Sequence, residues 1–151
     1  MSVRRLWTIG AGCALALIAP IAAEGDQLLA TVDRPAILTA TPAKPLQGAA
    51  ADQPAPRVIV HVTGYQPPQK GAIRGVVKVQ KPDGSEQEIG TFGVFPNTAF
   101  KADFSRARRY GFPLPKELAT GAVKLKVEVV PDKAPGTAEG AQLEVGGAEI
   151  Q

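Results

Sequence analysis

Apolar residues return at every second position over most of this chain, and that period constrains the fold more than any other feature. Between Ala122 and Val130, Val123, Leu125, Val127 and Val129 alternate with Lys124, Lys126 and Glu128. A strand turns successive side chains to opposite faces, so this pattern writes one buried and one wet face. Arg57 to Gly64 repeats it, with Val58, Val60 and Val62 on one side and Ile59 and His61 on the other. Ile73 to Lys81 sets Ile73, Gly75, Val77 and Val79 against Arg74, Val76, Lys78 and Gln80, and Pro82-Asp83-Gly84 closes it with turn chemistry.

The richest stretch is Glu88 to Phe104, which carries Phe92, Phe95, Phe100 and Phe104. Ile89, Thr91, Gly93 and Phe95 share one strand face and Gly90, Phe92 and Val94 the other, both apolar enough to be covered. Pro96 and Asn97 break the run, and Phe100, Ala102 and Phe104 restart it. This predicts an interior hairpin or a corner where the chain changes sheets. Asp26 to Thr41 reads as two short extended pieces interrupted at Arg34-Pro35, because the residue before a proline is pushed to extended geometry. Ser105 to Leu118 reads as a crossover loop with a Ser105-capped helical turn stopped by Pro113 and Pro115. Leu143, Val145 and Ile150 mark a last strand with a bulge or tight turn at Gly146-Gly147.

Short strands joined by Gly/Pro-rich connections, with at most one short helix, predict an all-β antiparallel sandwich of about seven strands, jelly-roll or immunoglobulin-like. The expected core contains Val58, Val60, Val77, Phe92, Phe104, Leu125 and Val127.

Residues 1–23 stand apart. Arg4 and Arg5 precede an apolar run from Ile9 to Ile21 that ends in Ala22 and Ala23, the layout of a cleaved export signal. The adjacent arginines leave general secretion and the twin-arginine route both open. The protein is therefore expected to be exported, periplasmic or secreted, with residues 24–151 forming a single domain that carries a Pro/Ala-rich loop at 42–56. No later segment approaches the roughly 20 apolar residues of a membrane span. Arg4 and Arg5 are two of the 17 Lys and Arg, against 14 Asp and Glu, so without the leader the charge falls from +3 to about +1. Most of the basicity belongs to the signal, which argues against nucleic acid.

The chemical inventory is thin. Cys13 lies in the leader, so no disulfide is expected. One histidine remains, His61, read as half-exposed on a strand and without a nucleophile motif nearby. Without cysteine or methionine to join it, no metal or other cofactor is expected. Glu86 and Glu88 fall on one strand face, where neighbouring acids are usually solvated. These counts predict a non-enzyme. Two features are candidates for partner contact. Tyr65 is expected at an exposed loop tip stiffened by Pro67 and Pro68, and Arg106, Arg108 and Arg109 form the one basic cluster, beside Tyr110 and Phe112.

The order of short motifs adds a family likeness. Thr31-Val32-Asp33-Arg34-Pro35, Gly90-Thr91-Phe92 with Pro96, Lys124 to Pro131, and Leu143 to Ile150 resemble, in that order, segments of the C-terminal domain of tyrosinases and plant polyphenol oxidases. The plant domain's Lys-Phe-Asp-Val signature is missing near Val76 to Val79, Asn97 stands where that domain has histidine, and no copper-binding helices occur. The resemblance implies a free-standing, non-catalytic shielding domain that covers or assists a tyrosinase-like copper oxidase in trans. Tyr65 is then the expected plug over the substrate entrance. The alternative is a generic exported β-sandwich that binds a carbohydrate or a cell-envelope component.

Overall fold

The computed structural model describes residues 28–43, 54–133 and 136–151. The expected export signal and most of the expected 42–56 loop lie outside them. The described chain is all-β. Its strands are β1 (Leu29–Thr31), β2 (Ala36–Pro42), β3 (Arg57–Gln66), β4 (Ile73–Gln80), β5 (Glu86–Gly93), β6 (Phe100–Lys101), β7 (Arg108–Pro113), β8 (Val123–Pro131) and β9 (Gln142–Ile150). Two 3-10 turns, Phe104–Arg106 and Lys116–Leu118, flank β7.

All nine strands belong to one open, mixed hydrogen-bonded sheet, seven of them in the order β5-β4-β8-β2-β9-β3-β6, with β1 added on β9 and β7 on β3. β2 is the bridge. Its residues Ala36 to Ala40 pair antiparallel with β8, and Thr41 and Pro42 then pair parallel with β9, the one parallel contact in an otherwise antiparallel set among the described residues. The alternation of Ala36, Leu38 and Ala40 with Ile37, Thr39 and Thr41 buries the first set and exposes the second. Small alanines let β2 pass close to both halves.

The β5 end folds back over the β7 end. Phe92 packs on Tyr110 at 4.3 Å between ring centroids and on Phe112 at 6.0 Å. Two glycines make room for these rings. A Cβ at Gly75 would stand 2.4 Å from the Phe92 ring, and one at Gly90 would stand 2.6 Å from Phe112. Val58, Val60, Val77, Leu125 and Val127 are buried with Phe92, as the alternation predicts. On the outer face, charges pair with one another: Lys78 with Glu128 at 2.7 Å and Lys126 with Glu86 at 3.1 Å. The Lys78 hydrogen bond holds the Glu128 carboxyl below its usual range.

Three expectations are corrected, and one left open is decided. Nine strands replace about seven, chiefly because Arg108–Pro113 is a strand and not a loop: its residues pair with β3 from Arg57↔Pro113 to Val62↔Arg108. No hairpin forms at Pro96-Asn97, since β5 lies in one half and β6 in the other, so the stretch is the corner alternative. β5 is an edge strand with one covered face, its Thr91, Gly93 and Phe95 side open to solvent. Phe104 is 55% exposed and lies outside the core, because the chain turns at Asp103, which caps the 3-10 turn in place of Ser105.

These differences can be weighed by truncation. Leu125→Ala should cost about 2–5 kcal/mol of unfolding free energy, the usual range for a buried leucine, whereas Phe104→Ala should cost clearly less. Urea unfolding midpoints of the two variants check the order; equal losses would return Phe104 to the core.

Candidate functional site

β3 governs the site. It is hydrogen-bonded to β9 on one edge and to β7 and β6 on the other, and its residues from Val60 to Tyr65 are buried. Tyr65, paired with Leu143 and Phe100, is 4% exposed. The expected loop-tip position is therefore corrected: β3 runs on through Gln66, one pleat further than the sequence suggests, and carries Tyr65 into the core. Pro68 is buried and Pro67 half-buried, so neither projects. A buried phenol needs a partner, and the Tyr65 hydroxyl donates to Asn97 Oδ1. Burial pushes its pKa up from the ordinary value of 10.0.

That hydrogen bond is one of three that fix the corner after β5. Asn97 Nδ2 donates to the Gly71 carbonyl at 3.0 Å, tying the corner to the β3–β4 turn. Gly71 takes a φ of 83°, a value open to glycine at little cost. Arg108 Nη1 donates to the Phe95 carbonyl at 2.9 Å, and its guanidinium carbon lies 3.9 Å from the Phe100 ring centroid. A planar guanidinium can stack on a ring and donate from its edge at once, which lysine could not reproduce. Between these anchors Phe95 stands 87% exposed, the most exposed large apolar side chain among the described residues.

The arginines are thus not a free cluster. Arg108 is structural to the corner. Arg109 pairs with Glu149 at 3.1 Å, and Arg106 pairs with Asp103 at 3.3 Å while remaining on the surface. The structure brings Tyr65 and Arg108 to the same corner, from beneath and beside it, and leaves Arg106 and Arg109 on other contacts.

His61 is corrected from half-exposed to 5% exposed. Phe104 covers it, stacked at 4.4 Å between centroids and 21° between planes. Neither imidazole nitrogen has a hydrogen-bond partner, and Nε2 is 3.6 Å from Glu149 Oε1. No group of three or more His, Cys, Asp or Glu side chains able to hold a metal occurs among the described residues. No helix among them is long and apolar enough to cross a membrane. A shallow groove of about 430 Å³ runs past Leu29, Gly64, Phe100 and Gln142, with Lys101 and Glu144 bridging it at 2.8 Å.

Sequence reasoning missed Phe95 and Phe104 as surface rings. A signal for Phe95 was present, because it shares its face with Thr91 and Gly93, and a face that poor in bulk is seldom covered. No protein-family model matches the chain, and no curated protein does either.

The corner makes two linked predictions. Asn97→Ala leaves the Tyr65 hydroxyl buried and unpaired, so it should cost about 1–3 kcal/mol, and Tyr65→Phe in the same chain should restore part of that loss. Because the folded phenol holds its proton to higher pH than the unfolded one, stability should fall as pH rises past about 10. Tyr65→Phe should flatten that alkaline decline in chemical-denaturation curves; an unchanged decline would assign it elsewhere.

Proposed function

We propose that this chain is an exported, non-catalytic accessory domain that docks on another protein by seating Phe95 in an apolar pocket of that partner. The observation that supports the reading is the presentation of Phe95. Phe95 stands 87% exposed while its backbone is held by Arg108, with Asn97 fixed two residues on. A backbone already held in place loses little further freedom on binding, and aromatic anchors dominate many interfaces.

The resemblance to the shielding domain of tyrosinases and polyphenol oxidases supplies the partner: a tyrosinase-like copper oxidase whose substrate entrance this domain covers. A phenyl ring has the outline of the phenols such an entrance admits and lacks the hydroxyl on which the chemistry acts. It can therefore occupy the entrance without being consumed. Phe95 takes the plug role that the sequence alone assigns to Tyr65. Arg106 and Arg109, exposed and each paired within the chain, would contribute to encounter and orientation more than to affinity.

The test is inhibition. The purified domain, titrated into a tyrosinase-like oxidase that lacks its own C-terminal domain, should slow phenol oxidation saturably. Phe95→Ala should weaken that inhibition about 30-fold, the equivalent of a ~2 kcal/mol anchor, with the melting midpoint nearly unchanged. Equal inhibition by parent and variant would remove Phe95 from the interface, and no inhibition by either would remove the oxidase as partner.

A further inference from the structure

Phe104 lies flat on the outer face of the sheet. One side of its ring stacks on His61, at 4.4 Å between centroids and 21° between planes. Gly146 and Gly147 of β9 lie against the same ring, and a Cβ on either would come within 3.4 Å of it. With that side covered and the residue still 55% exposed, the other side of the ring faces water. The backbone that carries it is tied before and after: the Ala102 N–H donates to the Thr63 carbonyl at 2.7 Å, and the Arg106 N–H donates to the Asp103 carboxylate at 3.0 Å.

Charged side chains border this ring in matched pairs. Glu149 Oε1, 3.6 Å from the His61 imidazole, accepts from Arg109 at 3.1 Å and from the Gln151 side chain at 2.6 Å. Further along β3, Glu144 pairs with Lys101 at 2.8 Å across Gly64, where a Cβ would stand 2.9 Å from the Glu144 carboxylate. Asp103 and Arg106 pair at 3.3 Å on the turn itself. Each of these acids is answered by a base, so neither sign of charge is in excess beside the ring. Past Lys101 and Glu144 the groove of about 430 Å³ continues between Gln66 and its register partner Gln142. From Ile59, the register partner of Glu149, to Gln66 the face runs roughly 20 Å, at about 3.3 Å per residue of strand.

We propose that this face is a saccharide-binding platform: a pyranose of a neutral oligosaccharide stacks on the open side of Phe104, with its hydroxyls bonded to Glu149, Arg109 and Gln151 at one end and to Lys101 and Glu144 at the other. A pyranose has a face of C–H groups and a rim of hydroxyls that both donate and accept. The C–H face suits the negative face of an aromatic ring. The rim suits what borders the ring here, since carboxylates accept, guanidinium and ammonium groups donate, and an amide does both. The matched charges favour a neutral sugar over an anionic or cationic polymer. The length of the face, continued by the groove, favours a chain of sugar units over a single one. The site is separate from the Phe95 corner and does not require the oxidase as partner.

The test is a nuclear magnetic resonance titration of the folded chain with three neutral probes, cellohexaose, maltohexaose and chitohexaose. At least one should shift the amides of Ala102, Phe104 and Glu149 saturably, with a Kd on the order of 1 mM or tighter. Phe104→Ala should weaken that binding about tenfold, and Phe104→Tyr, which keeps the plane, should hold it within about twofold. Phe95→Ala should leave it unchanged, whatever that variant does to oxidase inhibition. Should Phe104→Ala fail to fold once His61 is uncovered, Arg109→Ala removes a donor beside the ring from an exposed position and should weaken binding about fivefold. No saturable shift with any of the three probes, shifts confined to residues away from Phe104, or full affinity in the folded Phe104→Ala or Arg109→Ala chain overturns the platform.

Discussion

The structure depends on β3 being occupied on all four sides. From Val60 to Tyr65 the strand is hydrogen-bonded along both edges and buried on both faces, so this stretch presents no side chain to water. Val58, Val60 and Val62 satisfy this trivially by pointing into the core. His61 and Tyr65 satisfy it only because other segments supply what their polar ends require or cover what they leave exposed. The 3-10 turn at Phe104 covers the first, and Asn97 meets the hydroxyl of the second. The two surface features of the molecule, the Phe95 corner and the Phe104 turn, are both by-products of completing β3.

The four phenylalanines between Glu88 and Phe104 show how far identical side chains diverge under this constraint. Phe92 fills the space above Gly75 and between the two ends of the sheet. Phe95, three residues on, falls past the end of the strand on the uncovered face. Phe100 is shared between the core and the Arg108 guanidinium, and Phe104 lies on the opposite side of the sheet against two glycines. Register offsets help to set these fates: a bulge between Val77 and Lys78 shifts β5 against β4, and further offsets around Val62 shift β9 against β3.

The arginines serve the fold more than a count of basic residues suggests. Arg108 spends its donors and its flat face on holding a backbone carbonyl and a ring, and Arg109 is shared with Glu149. In the proposed docking, the corner would offer a partner an apolar ring on a held backbone, which favours an apolar pocket over a merely acidic surface.

By itself the sequence determined the class of fold and most of the strands, because alternation in Val58 to Val62, Ile73 to Gln80 and Val123 to Val129 is a local property that any buried sheet must respect. It also marked the break at Pro96-Asn97 and the irregularity at Gly146-Gly147. It did not reveal β7, since Arg108-Arg109-Tyr110-Gly111-Phe112-Pro113 has the composition of a loop and becomes a strand only by pairing with β3. The burial of Tyr65 was equally out of reach, although the open face of Phe95 left a trace in Thr91 and Gly93. Both are aromatic residues within two positions of a proline, and which one is buried depends on how far β3 extends and on which strands flank it. Those are contacts between residues distant in the chain, so only the tertiary structure decided them.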